Sequence, residues 1–95
     1  MSGFISQAIQ PVAGAFATDG ANGEPPLPAA FVWGDRQLHV ATIARTWRST
    51  KDDRGDTYVK RHYFEFETPE HETAVVYFER QAKRGTPRWW LFTLS

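Results

Sequence analysis

Residues 57–68 alternate between large and polar side chains with the two-residue period of an extended chain. Tyr58, His62, Phe64 and Phe66 fall on one face, and Val59, Arg61, Tyr63, Glu65 and Glu67 on the other. A strand sends successive side chains to opposite faces, so this pattern specifies a half-buried β-strand. The next segment repeats it: Ala74, Val76 and Phe78 share a face, with Val75, Tyr77 and Glu79 opposite. Residues 88–94 are apolar on both sides, with Trp90, Phe92 and Leu94 on one and Trp89 and Leu91 on the other. Such a strand is central, covered by another segment, or part of an interface.

Turn residues punctuate these runs. Phe31-Val32-Trp33 is a short strand closed by Gly34-Asp35. Leu38 and Val40, then Ile43 and Trp47, follow as one long strand whose apolar parity switches between Val40 and Ile43. That slip predicts a bulge or sharp bend near Ala41-Thr42. Polar loops follow at Ser49–Asp56, at Pro69-Glu70-His71-Glu72 and at Gln81–Pro87, the last around Gly85. The expectation is an all-β fold. An antiparallel meander of about five strands curls into a small barrel or half-barrel, because a flat sheet of this size leaves one face wet and two edges open.

Composition divides the chain at residue 30. Residues 4–12 hold Phe4, Ile5 and Ile9 but also Pro11, which argues against a long helix and for an extended arm docked on the body. Residues 17–29 carry Gly20, Gly23, Pro25, Pro26 and Pro28 and read as a flexible connector. Residues 1–29 are therefore expected as N-terminal arm and linker, and residues 30–95 as the barrel-like domain. All 11 Lys and Arg lie between Arg36 and Arg88, and 12 of the 14 aromatics lie between Phe31 and Phe92. Net charge is zero overall but −2 over residues 1–30 and +2 over residues 31–95. This falls short of the balance of a committed DNA binder, so polyanion binding would need a local patch. No apolar run reaches the roughly 18–20 residues that span a bilayer, and the first residues lack a basic signal-peptide region. With no Cys, a disulfide framework and thiolate metal sites are excluded. A soluble cytoplasmic protein is the expectation.

Three stretches resemble a family of small bacterial proteins, the DUF6504 family. They are Phe4-Ile5-Ser6-Gln7-Ala8-Ile9-Gln10-Pro11-Val12; Pro28-Ala29-Ala30-Phe31-Val32-Trp33 with Val40 and Trp47; and Tyr63-Phe64-Glu65-Phe66-Glu67-Thr68 with Val76-Tyr77-Phe78-Glu79-Arg80 and Trp89-Trp90-Leu91. The resemblance implies an all-β fold and no catalytic residues. It also implies a gene setting near Y-family DNA polymerases of damage-tolerance cassettes. The chain departs from the family in three ways: Gln7 stands where the family often has an acidic residue, Gly34-Asp35 is less basic than usual, and the loops Ser49–Asp56 and Gln81–Pro87 are longer.

One constellation could carry a function. Arg45, Trp47, Lys60, Arg61, Tyr63, Arg80, Lys83, Arg84, Arg88 and Trp89 could form a stripe in which bases neutralise phosphates and rings stack on nucleobases. Against it, Trp47 and Trp89 could be core, and Glu65, Glu67, Glu70, Glu72 and Glu79 dilute the field. Residues 80–88 hold four bases and no acid, a hairpin that could touch a phosphate backbone. The alternative is a protein-interaction module or homodimer using Phe4, Ile5, Ile9, Trp89 and Leu91, by strand addition or as an apolar face. Lys51-Asp52-Asp53-Arg54-Gly55-Asp56 does not match a calcium loop. His39, His62 and His71 form no metal or triad pattern. The expectation is a non-enzymatic module without cofactor or metal, acting on DNA or RNA or on a protein such as a DNA polymerase.

Overall fold

The computed structural model describes residues 3–20, 24–49, 61–80 and 85–95. Among these residues seven strands run in chain order: β1 (Gly3–Pro11), β2 (Ala30–Trp33), β3 (Arg36–His39), β4 (Thr42–Ser49), β5 (Arg61–Glu67), β6 (Thr73–Glu79) and β7 (Trp89–Leu94). They form one antiparallel sheet in the order β3-β2-β1-β7-β6-β5-β4. Two meanders, β1–β3 and β4–β7, are thus fused through the first and last strands. The two-residue passage Val40-Ala41 leads from one outer strand, β3, to the other, β4. The sheet must curl to bring them that close, and it forms an open half-barrel.

The expected half-barrel is present, with two strands more than the expected count. One is β1. The other arises because the expected long strand through Leu38 and Trp47 is two strands, broken at the bend that the parity switch marks. At that bend Val40 N–H donates to Ala29 O (2.9 Å) and Ala41 N–H to Glu67 O (2.8 Å). Ile43 and Trp47 do not share a face. Ile43 pairs with Phe66 and Arg45 with Glu65, so one extra residue, Ala44, switches parity. Ile43 then packs on the core and Trp47 turns outward. A second bulge lies at Phe92, between pairs Val76–Leu91 and Val75–Thr93, and returns Leu94 to the inner face opposite Ala74. A third lies in β1 between Phe4 and Gln7, where Ser6 has φ 54°. Bulges bend strands and raise local twist, which is how a small sheet curls.

The described inner-face residues that alternation assigned to β5 and β6 are buried or packed against the core, while Tyr58, assigned to the same face, lies outside the described residues. Phe64, Phe66, Ala74 and Val76 join Ile9, Leu27, Phe31, Leu38, Trp89 and Leu91 in one buried cluster, with Phe78 packed against it. Trp89 is the hub, with ring centroids 5.2 Å from Phe31, 5.8 Å from Phe64 and 5.0 Å from Phe78. The composition change at residue 30 does not mark the edge of this body. β1 pairs with β7 on one side and with β2 on the other. The segment read as a flexible connector is tied down where it is described. Ala17 N–H donates to Leu27 O (2.6 Å), Ala29 N–H to Ala15 O (3.1 Å) and Leu27 N–H to Thr18 Oγ1 (2.8 Å). Leu27, the one large apolar residue of that stretch, is fully buried and anchors it.

The β2–β3 turn is sterically specific. Gly34 has φ 61° and Asp35 is not in the left-handed region, the arrangement of a two-residue hairpin with Gly first. A Cβ on Gly34 would meet nothing within 4 Å, so the cost of substitution is conformational alone. Gly34→Val should lower stability by about 1–2 kcal/mol, read by urea unfolding.

Candidate nucleic-acid interface

The stripe expected from the sequence separates into two places and loses one member to the core. Arg45, Trp47, Arg61 and Tyr63 lie together on the outer face of β4 and β5. Arg80 and Arg88 lie at the end of the sheet where β6 leaves and β7 begins. Lys60, Lys83 and Arg84 fall outside the described residues. Trp89 is only 7% exposed on the inner face, so it packs at a tilt on the protein's own rings and presents nothing to a ligand.

The outer face is an aromatic ladder. Register brings Trp47 beside Tyr63, Tyr63 beside Tyr77, and Tyr77 beside Trp90. Trp47 and Tyr63 are parallel to within 2° at 5.2 Å, and Tyr77 and Trp90 to within 6° at 6.2 Å. Phe92 closes on Tyr63 and Tyr77 edge-on. The arginines are woven in: Arg45 lies over Trp47 at 4.9 Å and Arg61 over Tyr77 at 4.5 Å. Ring faces turned on one another and on guanidinium groups are not free for nucleobases. The charges are also engaged internally. Arg45 Nε donates to Glu65 Oε1 (2.6 Å), and Arg61 Nε to Glu79 Oε2 (2.9 Å). A hydrogen bond with Tyr63 Oη (3.5 Å), helped by Tyr77 and Glu79, outweighs burial and holds the Arg61 pKa above its ordinary value. Each cation is matched by a carboxylate, which explains why the sequence alternates them: the pairs stabilise this face and leave it without net positive field.

The end of the sheet is different. Antiparallel topology places the β4–β5 and β6–β7 connections at one end and the β5–β6 turn at the other. Among the described residues the first end carries Arg48, Arg61, Arg80 and Arg88; in sequence, residues 80–88 hold four bases and no acid. The opposite end carries Glu67, Glu70 and Glu72, with Arg36 bonded to Glu72. Among the described residues the ion pairs are Arg36–Glu72, Arg45–Glu65 and Arg61–Glu79. Arg48, Arg80 and Arg88 have no such partner there, and all three are exposed. Arg48, absent from the expected stripe, sits opposite His62 in register. Only strand pairing could have revealed it.

His62 is the buried polar residue among these arginines. It is 2% exposed, and neither ring nitrogen has a hydrogen-bond partner among the described residues. With Glu24, Pro25, Phe78, Arg80 and Arg88 it lines a cleft of about 370 Å³. Burial is the main cause of a His62 pKa below the ordinary 6.5; Arg80 and Arg48 lower it further, against Glu24. The folded state therefore resists a proton that the unfolded chain accepts, so stability should fall as pH drops from 6.5 through the folded value. His62→Leu should flatten that acid limb. It should also match or exceed the parent at pH 7, since an unpartnered buried polar group costs about 1–3 kcal/mol. Urea unfolding at pH 7.5 and pH 5 checks both. A variant with an unchanged pH profile would show that His62 does not set the acid limb.

Three members of the interaction surface expected from the sequence are buried in this fold. Ile9, Trp89 and Leu91 are core, and Ile5 is half-buried against it. The Phe4 side chain lies outside the described residues. The residue that is exposed lies elsewhere: Phe16, 59% exposed, the one exposed large hydrophobic among the described residues. Its signal in the sequence is an aromatic isolated among small and polar neighbours. No group of three or more His, Cys, Asp or Glu among the described residues could hold a metal ion. Among the described residues, no helix is long and apolar enough to cross a membrane.

These features define a small all-β protein: an open antiparallel half-barrel with a self-paired aromatic face and one arginine-rich end. The chain belongs to the family described as Domain of unknown function (DUF6504), whose model matches residues 1–95, the whole chain. No curated protein and no solved structure matches it.

Proposed function

We propose that the protein is a non-enzymatic module that binds the phosphate backbone of DNA or RNA through its arginine-rich end. The observation carrying this reading is that Arg80 and Arg88 line one cleft, with Arg48 opposite its His62, and that none of the three is paired to a carboxylate among the described residues. Such guanidinium groups can displace the counterions condensed on phosphates, whereas the paired Arg45 and Arg61 would first have to break existing bonds. The aromatic face takes no part, because its rings stack on one another. Backbone contact without base stacking gives affinity with little sequence preference. An accessory role beside a damage-tolerance DNA polymerase in the bacterial cytoplasm is the setting that the family resemblance implies for such a module.

The test is a salt titration of binding to labelled single-stranded DNA, duplex DNA and RNA, followed by anisotropy. Removing one phosphate ligand should reduce the slope of log K against log salt by about 1. The triple variant Arg48→Ala, Arg80→Ala, Arg88→Ala should lower that slope by about 2–3. The pair Arg45→Ala, Arg61→Ala should leave it unchanged. Absence of binding at about 50 mM salt, where nonspecific attraction is strong, would end this reading.

A further inference from the structure

The cleft at the arginine-rich end is one lobe of a longer groove. A second lobe of about 380 Å³ lies between Pro11, Phe16, Pro25 and Pro28, with Phe78 and Trp89 at its base. A third, about 550 Å³, runs from Ile9 and Gln10 to Pro87 and Arg88 over the same two rings. Phe78 lines all three; Pro25 joins the second to the cleft, and Arg88 joins the third to it. The three lobes thus meet at Phe78, apolar on the Phe16 side, with Arg80 and Arg88 beside Glu24 at the other end. The groove's apolar wall is held in place by backbone: the Phe16–Pro28 bridge and the bonds of Ala17 and Ala29 fix the wall against the sheet.

Phe16 adds an apolar surface to this lining: its phenyl ring is 59% exposed beside a trough walled by Pro11, Pro25 and Pro28. At the other end Arg80 and Arg88 stand without carboxylate partners among the described residues. The lining is thus complementary to a ligand with a large apolar group and, next to it, negative charge. Because the lobes lie open along the surface, an extended chain fits them better than a compact metabolite, which needs enclosure on most sides. A second copy of this chain does not fit well. Its acidic turn, Glu67 to Glu72, has the charge but contains no large apolar side chain to serve as anchor.

We propose that this groove docks a short acidic peptide segment of a protein partner. One aromatic or leucyl side chain would lie on Phe16 and Phe78, and a flanking carboxylate would pair with Arg88 and Arg80. This goes beyond nucleic-acid binding but shares its arginines, so the two ligands compete.

The test uses the full-length protein and three fluorescein-labelled synthetic hexapeptides. Each has a central Leu-Phe pair, flanked by aspartates, by serines or by lysines, and binding is followed by anisotropy. The aspartate peptide should bind at least about tenfold tighter than the serine peptide and far tighter than the lysine peptide. Arg88→Glu should weaken it by about tenfold or more. Phe16→Ser alters an exposed side chain, so it should leave the thermal melt unchanged and still weaken the aspartate peptide by about tenfold. Unlabelled single-stranded DNA should displace the peptide. Equal binding of aspartate and serine peptides, or full affinity in Phe16→Ser, would overturn the proposal. So would sedimentation showing a dimer that Phe16→Ser dissolves, which would assign the groove to a second copy. DNA binding without peptide binding would refute this proposal alone. Peptide binding without DNA binding would refute the nucleic-acid reading and leave this one standing.

Discussion

Trp89→Ala should unfold this protein or nearly so. The indole lies against Phe31, Phe64 and Phe78 at centroid distances of 5.0–5.8 Å, joining β2, β5 and β6 to β7. Replacing a core aromatic by Ala typically costs about 3–5 kcal/mol, through lost transfer energy and the cavity left behind. A small domain has only about 5–15 kcal/mol in total. The loss corresponds to a fall in melting temperature on the order of 15–30 °C. Trp47→Ala provides the contrast. It removes one cross-strand partner at the edge of the outer ladder and should cost about 1 kcal/mol. Thermal melts of both variants by near-ultraviolet circular dichroism make the comparison. A Trp89→Ala melt within a few degrees of the parent would mean that the indole is not the hub of the core. The distinction matters for function, because weaker binding by a Trp89 variant would report unfolding and not the removal of a ligand-facing side chain.

That contrast shows what alternation can and cannot read. In β5 and β6 the period is unbroken, so His62, Phe64, Phe66, Ala74, Val76 and Phe78 were assignable to one face from sequence. In β7 both faces are apolar, and period alone gives no way to choose between them. The choice is made by partners: Val76 and Phe78 stand opposite Leu91 and Trp89 and draw them inward, while Tyr77 draws Trp90 outward. Bulges break the period elsewhere. Ala44 sets Ile43 and Trp47 on opposite faces, and Phe92 does the same to Trp90 and Leu94. Charge suffered the same ambiguity. Arg45 and Arg61 look like candidate phosphate ligands in the sequence, and only cross-strand register reveals Glu65 and Glu79 beside them. Arg80 and Arg88 could be chosen from the sequence because no acid lies between them. The groove was not legible, since it joins Phe16 to Phe78 across more than sixty positions.

Deleting residues 1–12 should abolish the cooperative fold, although composition makes this segment look dispensable. It contains polar and small residues, a proline at position 11 and only three large apolar side chains, Phe4, Ile5 and Ile9, between Met1 and Val12. Its importance is positional. β1 pairs with β7 from Gly3 to Ile9 and with β2 through Gln10 and Pro11. It is therefore the strand that joins the β2–β3 hairpin to the β4–β7 meander within the sheet. Removing it strips one edge of β7, takes Ile9 from the core, and leaves Phe31 and Leu38 on a two-stranded hairpin. An isolated hairpin is marginal at best in water. Buried carbonyl and amide groups of β7 would also lose their partners, at about 1–3 kcal/mol for each group left unsatisfied. The truncated chain should give a disordered far-ultraviolet spectrum and no unfolding transition, against a single transition for the parent. A sharp transition at near-parental temperature would mean that residues 30–95 fold alone and that β1 is an accessory arm. Interior placement of β1 also bears on binding: Pro11, which terminates it, forms part of the groove wall beside Phe78. The segment that completes the sheet thus builds one side of the proposed docking site, and the site cannot form on a body that lacks it.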